Sequence, residues 1–256
     1  MNKPIFTAHN ILLDNGEYTK PEIPISIDAE PWMKSARKIL TLVFPNINKE
    51  NPIKIVDLGC LEGGHSVEFA RMGFETLGIE VRDSNFNCCE YVLNKVNLPN
   101  LKFVKDDVLN IAKYDDFDAS FCCGLLYHLD RPKYFLEELA KKTKKLIIIQ
   151  THFSIVDNKP TRFKLSELTL NEGLSGRWFS EFEPDIIEEK RQLLRWSSFE
   201  NSKSFWIQRE SLIGLIYDLG FDTVLEQFDS FSPDINNKLN IEYNYHLRGT
   251  FIGIRN

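Results

Sequence analysis

Between residues 53 and 151 the sequence alternates short apolar runs with amphipathic stretches, and no other feature restricts the fold as strongly. IKIVDL (53–58), FETLGIE (74–80), LKFVKDD (101–107), FDASFCC (117–123) and KKLIIIQTHF (144–153) are runs of the kind found in strands buried on both faces of a parallel sheet. Between them, GGHSVEFARMG reads as a helix ended by Gly73. A second helix carries Phe86, Cys89, Leu93 and Val96, with Ser84 placed to cap it. A third carries Phe135, Leu136 and Leu139, with Asp130 as its cap and Pro132 in its first turn. Repeated strand–helix alternation predicts a parallel sheet with helices on both faces and right-handed crossovers.

The flanks complete this picture. SLIGLIYDLG (211–220) places Leu212, Leu215, Ile216 and Leu219 on one helical stripe, with Gly220 as its C-cap. FDTVLEQF and NYHLRGTFIGIR read as closing strands. The expected fold is α/β: a Rossmann-like, doubly wound, seven-stranded sheet, mostly parallel with an antiparallel last strand. Residues 53–151 and 209–256 form this domain. Residues 1–52 form an N-terminal arm and a helix opened by Pro31 and stopped by Pro45. Residues 152–208, rich in tryptophan and without a clear strand, form a cap insertion. The 256 residues thus suit one catalytic-sized domain with two covers, the arm contributing Phe6, Tyr18 and Trp32.

Composition excludes several classes. Hydrophobic residues are 43% and charged residues 27%, ordinary globular usage, so wholesale disorder is ruled out. No stretch near twenty residues is free of charge, so no membrane span is expected. The first residues lack the apolar core of a secretory signal. A net charge of −6 argues against nucleic acid as a partner. The five cysteines show no ligand spacing, so reduced thiols, a cytoplasmic location and no metal are expected.

The chemistry centres on the turn after the first strand, Asp57-Leu58-Gly59-Cys60-Leu61-Glu62-Gly63-Gly64. In an open α/β sheet ligands bind beyond the carboxyl ends of the strands, where glycine lets backbone approach closely. Glu80 ends the second strand, where an acid can take both hydroxyls of a ribose. A dinucleotide loop needs a glycine at the position held by Leu61, and Glu62 would repel a diphosphate. Asp57 can instead face an ammonium. Acids around the loop suit a cationic nucleoside and disfavour an NAD-dependent oxidoreductase.

VDLGCLEGG, GIE ending at Glu80, VKDDV and FDASFCCGLLYHLDRP together resemble the class I S-adenosylmethionine-dependent methyltransferases, in order and spacing, over residues 53–151. The departure is Leu61, where the family usually has glycine. The resemblance implies S-adenosylmethionine as cofactor, S-adenosylhomocysteine as product, and a chemistry that requires no metal. It implies that Asp57 contacts the methionine ammonium. Gly59, Cys60, Leu61, Gly63 and Gly64 approach the methionine portion, and Glu80 takes the ribose. Asp107 with Val108 holds the adenine, or Asp106 if the register slips by one. Gly124 and Leu125 lie near the methyl group. His128 is the expected base or acceptor-orienting group, with Tyr127 beside it, because a histidine titrating near neutrality can accept a proton from a hydroxyl.

In the insertion, Arg177, Trp178, Trp196, Asn201, Ser204 and Trp206 mix aromatic walls with polar anchors, as an acceptor pocket does. Arg177, Arg195 or Arg162 could fork onto a phosphate or carboxylate. The expected function is methyl transfer to a hydroxyl, in preference to an amine, of a small polar metabolite. A sugar, nucleotide-linked sugar or phosphorylated intermediate fits, in surface-polysaccharide modification. A tRNA wobble-uridine modifying transferase and a non-catalytic S-adenosylmethionine-binding regulator are the alternatives. The enzyme is expected as a monomer or homodimer.

Overall fold

Seven strands join in one sheet in the order β3-β2-β1-β4-β5-β10-β9 in a computed structural model that describes residues 3–47, 52–157, 161–228, 236 and 239–256. The strands are β1 (Lys54–Leu58), β2 (Glu75–Glu80), β3 (Leu101–Lys105), β4 (Phe117–Cys123), β5 (Thr143–His152), β9 (Thr223–Glu226) and β10 (Arg248–Ile254). β1, β2 and β3 pair in parallel, and β10, the last in the chain, runs antiparallel to both β5 and β9. This is the Rossmann-like sheet expected from the alternation. The chain divides inside β4 into two compact units, residues 1–121 and 122–256.

In the first unit, α1 (Pro31–Val43), α2 (Gly64–Arg71) and α3 (Asp83–Leu93) accompany the strands. Pro31 stands at the first helical position of α1, where its fixed φ favours the start and no amide hydrogen is missed. Arg82, not Ser84, precedes α3, and its buried stripe is Asn85, Cys88, Cys89 and Val92 rather than the one set by Phe86 and Leu93. The vicinal cysteines thus act as small core residues. Residues 3–30 do not trail off the sheet. Phe6, Ile11, Leu13 and Ile27 share a core with Val67 and Ala70 of α2 and with Cys88, Tyr91 and Val92 of α3. Each such burial is worth about 1.5–3 kcal/mol and ties the arm to α2 and α3.

The second unit contains α4 (Pro132–Lys142), α5 (Glu188–Leu193) and α6 (Arg209–Asp218). Here the structure corrects the reading of residues 152–208 as strandless. β6 (Thr169–Asn171), β7 (Leu174–Ser180) and β8 (Lys203–Ile207) form an antiparallel three-stranded sheet. β6 and β7 close through a two-residue hairpin, Glu172-Gly173, with φ of 52° and 80°. Two successive positive φ values match the twist of such hairpins, but Asn or Asp normally fills the first position, so the turn signal was weak. Glu172 has a second task. Its carboxylate accepts the backbone N–H groups of Lys133 and Tyr134, at 3.0 and 3.2 Å. It therefore caps α4 from 39 residues away, where Asp130 had been expected to do so.

Candidate active site

The loop after β1 brings together most of the expected cofactor residues of the first unit. Gly59, Leu61 and Gly63 all adopt positive φ, at 64°, 55° and 80°. Leu61 therefore stands in the left-handed region that favours glycine, at a cost of about 1–2 kcal/mol. Its N–H donates to Glu80 Oε2 at 3.0 Å, and the Arg82 N–H donates to Oε1 at 2.8 Å. Asp57 accepts from Ser66 Oγ at 2.6 Å. Both acids are buried, and burial raises each to about 7. Their few donors do not offset the loss of water. A cationic ammonium and a pair of ribose hydroxyls are the partners such carboxylates lack, so the donor set fits S-adenosylmethionine.

Cys60 lies 3.8 Å, sulfur to sulfur, from Cys89, whose thiol donates to the Leu61 carbonyl. Burial pushes both thiols up, so they are packing groups rather than nucleophiles.

Glu62 proves to have a different role from the one its position suggested. It is fully buried, and its carboxylate accepts from Thr7 N–H, Thr7 Oγ, Ala8 N–H and His9 N–H of the arm. His9 Nδ1 in turn accepts the Gly64 N–H at 3.0 Å. A Cβ on Gly64 would sit 2.8 Å from that nitrogen. This glycine is thus required by the arm's approach. Burial lowers His9 to about 4, so it stays neutral and able to accept.

Past β3 the two aspartates separate. Asp106 is engaged by Lys113, Tyr114, Asn110 Nδ2 and the Asp107 N–H. Partial burial alone would raise it, but these partners hold it at about 2. Asp107 caps the short helix begun by buried Val108, accepting from Leu109 N–H with Oδ1. Among the described residues its other oxygen has no hydrogen-bond partner, so Asp107 is the better placed of the two for a ligand.

In the second unit, Gly124 (φ 71°) and Leu125 lead into a single helical turn, Leu126–His128. Three consecutive carbonyls of this turn accept from the insertion: Tyr127 O from Trp206 Nε1, His128 O from Asn201 Nδ2, and Leu129 O from the Phe205 N–H, at 2.9–3.0 Å. Asn201, Ser204 and Trp206, expected to touch the acceptor, hold this turn and its partners. Ser204 Oγ donates to Glu181 Oε1 at 2.7 Å, and Glu181 Oε1 is 2.9 Å from His128 Nδ1. The Arg177 guanidinium donates to the carbonyls of Ile155, Ser166 and Val156, which occupies the fork expected to take an anion. Trp178 packs edge-on to Phe205, and Trp196 is exposed.

Tyr127, His128, His152, Phe163, Phe179 and Trp206 form a cluster of rings. His152 was missed in the sequence. It lies parallel to Trp206 at 4.7 Å and edge-on to Tyr127 at 4.5 Å. Its Nδ1 donates to the His246 carbonyl, and burial, with Arg248, lowers it to about 3. The only available signal was its place at the end of a strand. Burial also raises the Tyr127 phenol, which therefore stays protonated at neutral pH.

The profile of a family described as a methyltransferase domain matches residues 56–146, the span holding the loop, Glu80, Asp107 and His128. These residues are thus similar to a methyltransferase domain. A ubiquinone biosynthesis O-methyltransferase of Rickettsia bellii is 20% identical over 218 residues, 84% of this chain and 83% of that protein. A tRNA U34 carboxymethyltransferase of Nautilia profundicola is 28% identical over 141 residues, 49% of this chain and 47% of that one. Among solved structures, the N-terminal domain of EvdMO1 with SAH bound superposes with a TM-score of 0.63 at 22% identity, covering 89% of this chain and 82% of that one. The same domain was also crystallised in the presence of SAH and D-fucose. Among the described residues no helix is long and apolar enough to cross a membrane, and no cluster of three metal-ligating side chains occurs.

Proposed function

We propose that this chain transfers a methyl group to a hydroxyl of a small polar metabolite, with a sugar, nucleotide-linked sugar or phosphorylated intermediate as the acceptor class. When bound, S-adenosylmethionine supplies a methyl carbon already activated by its sulfonium. Asp57 and Glu80 hold the cofactor by its ammonium and ribose, and the loop Gly59–Gly64 lies against its methionine portion. Asp107 and Val108 serve the adenine, and Gly124 and Leu125 border the reacting end. His128 takes the proton of the acceptor hydroxyl as its oxygen forms the new C–O bond. With the cofactor bound, the electron pair of the breaking C–S bond would go to sulfur, and the proton would leave on the imidazole. Tyr127 orients the acceptor. The arm and the insertion, residues 1–52 and 152–208, act as the two covers of the methyltransferase domain.

The observation that carries the hydroxyl assignment is the character of the ring cluster. His152 is held neutral with Nδ1 committed to a carbonyl, so its remaining nitrogen offers only a lone pair. Arg248 acts electrostatically on this histidine and on Tyr127. The lone pair can accept from a hydroxyl, and the fixed cation of Arg248 suits a neutral or anionic hydroxyl compound and disfavours an ammonium. The sugar class is further supported by the D-fucose used with the EvdMO1 domain.

The test is transfer of radiolabelled methyl to a panel of sugars, nucleotide sugars and sugar phosphates, with bulk tRNA as a separate arm. Transfer to a sugar hydroxyl is expected, and His128→Ala should lower turnover about 10²-fold or more while leaving cofactor affinity unchanged. Transfer confined to tRNA, with a steep salt dependence, would replace this reading by the RNA one.

A further inference from the structure

We infer that Glu181 is a positioning residue that fixes the tautomer of His128, presenting Nε2 as the lone-pair nitrogen. The inference rests on the reading of His128 as the base. Glu181 follows directly after β7, and its side chain is only 2% exposed. Three donors converge on its carboxylate. Ser204 Oγ and His128 Nδ1 meet Oε1 at 2.7 and 2.9 Å, and the Ser198 N–H meets Oε2 at 3.1 Å. A backbone N–H can only donate, and an ionised carboxylate only accepts. The hydrogen between Glu181 and His128 therefore belongs to Nδ1, and in the neutral imidazole Nε2 is left unprotonated. The negative charge also steadies the imidazolium that forms when Nε2 takes up a proton.

The insertion reaches the same residue a second way. Asn201 Nδ2 grips the His128 carbonyl, while the N–H of Glu181 itself donates to Ser202 O at 2.9 Å. Ring and main chain of His128 are thus referenced to one short stretch, residues 198–204, which fixes the imidazole plane as well as its tautomer. Orientation of this kind matters because a base acts only within hydrogen-bond reach of the proton it removes.

Glu181→Gln makes the argument testable without knowing the acceptor. The amide keeps the shape but has one acceptor oxygen for three donors. The Ser198 N–H claims that oxygen, so the NH2 group faces His128 Nδ1. Nδ1 must then become the lone-pair nitrogen and the proton must move to Nε2. Long-range proton–nitrogen correlation spectra of 15N-labelled protein read this directly, with the His128 signals assigned by their loss in His128→Gln. The expected result is the Nδ1–H form in wild type and in Ser204→Ala, and the Nε2–H form in Glu181→Gln. An Nε2–H form in wild type overturns the inference, even if the Gln variant does not fold. So does an unchanged tautomer in a folded Gln variant. Titration with S-adenosylhomocysteine by calorimetry runs alongside, and equal affinity in wild type and Glu181→Gln is expected. Failure of wild type to bind it would remove the cofactor reading and leave the tautomer result to judge Glu181.

Discussion

Replacing Glu62 with Gln should free the N-terminal arm without unfolding the sheet. In the native protein four donors share the two carboxylate oxygens: Thr7 N–H and Oγ on one, Ala8 N–H and His9 N–H on the other. A carboxamide keeps one acceptor. Its best arrangement leaves the oxygen toward Ala8 and His9 and turns the NH2 toward Thr7, whose hydroxyl can rotate to accept. The Thr7 N–H then loses its partner, at about 1.5–3 kcal/mol for a bond to a charged group. The other two bonds become neutral and fall to about half their strength, removing ~1 kcal/mol more. Relief of the buried charge offsets part of this, so a net loss of about 3 kcal/mol is expected in the docking of residues 7–13. Amide hydrogen exchange followed by mass spectrometry reads this locally. Protection of the Thr7–Leu13 peptide should fall by about two orders of magnitude, since 1.4 kcal/mol is one decade, while β1 and β2 peptides keep theirs. Unchanged protection of the arm in Glu62→Gln would refute the argument. An equal loss across the sheet would show that the arm does not open as a separate unit.

Four further outcomes rest on the same geometry. Asp57 and Glu80 are raised from ordinary carboxylate values to about 7, so the folded protein binds more protons than the unfolded chain between about pH 4 and 7, and stability without cofactor should fall as pH rises through that window. S-adenosylhomocysteine needs both acids ionised, so its affinity should rise from pH 5 to 8 with proton release near pH 6, read by calorimetry in two buffers of different ionisation enthalpy; identical heats would contradict the assignment. Gly64→Ala puts a Cβ 2.8 Å from His9 Nδ1 and should cost about 1–3 kcal/mol in thermal unfolding, with the loss abolished in a protein already carrying Glu62→Ala. Glu172→Ala removes the cap of α4 and should lower stability by about 1–2 kcal/mol in urea melts, an effect that Asp130→Ala should not reproduce.

The parts legible in the sequence are those written in neighbouring residues. The strand and helix periods of 53–151, the glycine turn, the acid closing β2 and the proline that starts α1 all depend on local dihedrals and on which face of an element is apolar. Sequence reading therefore located the sheet, the glycine turn after β1, Glu80 at the end of β2 and the turn that carries His128. The resemblance to methyltransferases added roles to those positions, and the family match agrees with it in class.

What the tertiary structure decided is the availability of each polar group. Glu62 reads as a loop acid until its partners arrive from 53–55 residues earlier in the chain. Asp106 and Asp107 are indistinguishable until Lys113 and Tyr114 fold back onto the first. Arg177 has the right chemistry for an anion, yet three carbonyls occupy it. Glu181 drew no attention in sequence, and it stands 53 residues from the histidine it orients. Local sequence determines where the chain can turn, coil or extend. Whether a carboxylate, guanidinium or imidazole remains open to a ligand depends on hydrogen-bond partners far away in the chain, because burial removes water and a long-range contact must then replace it.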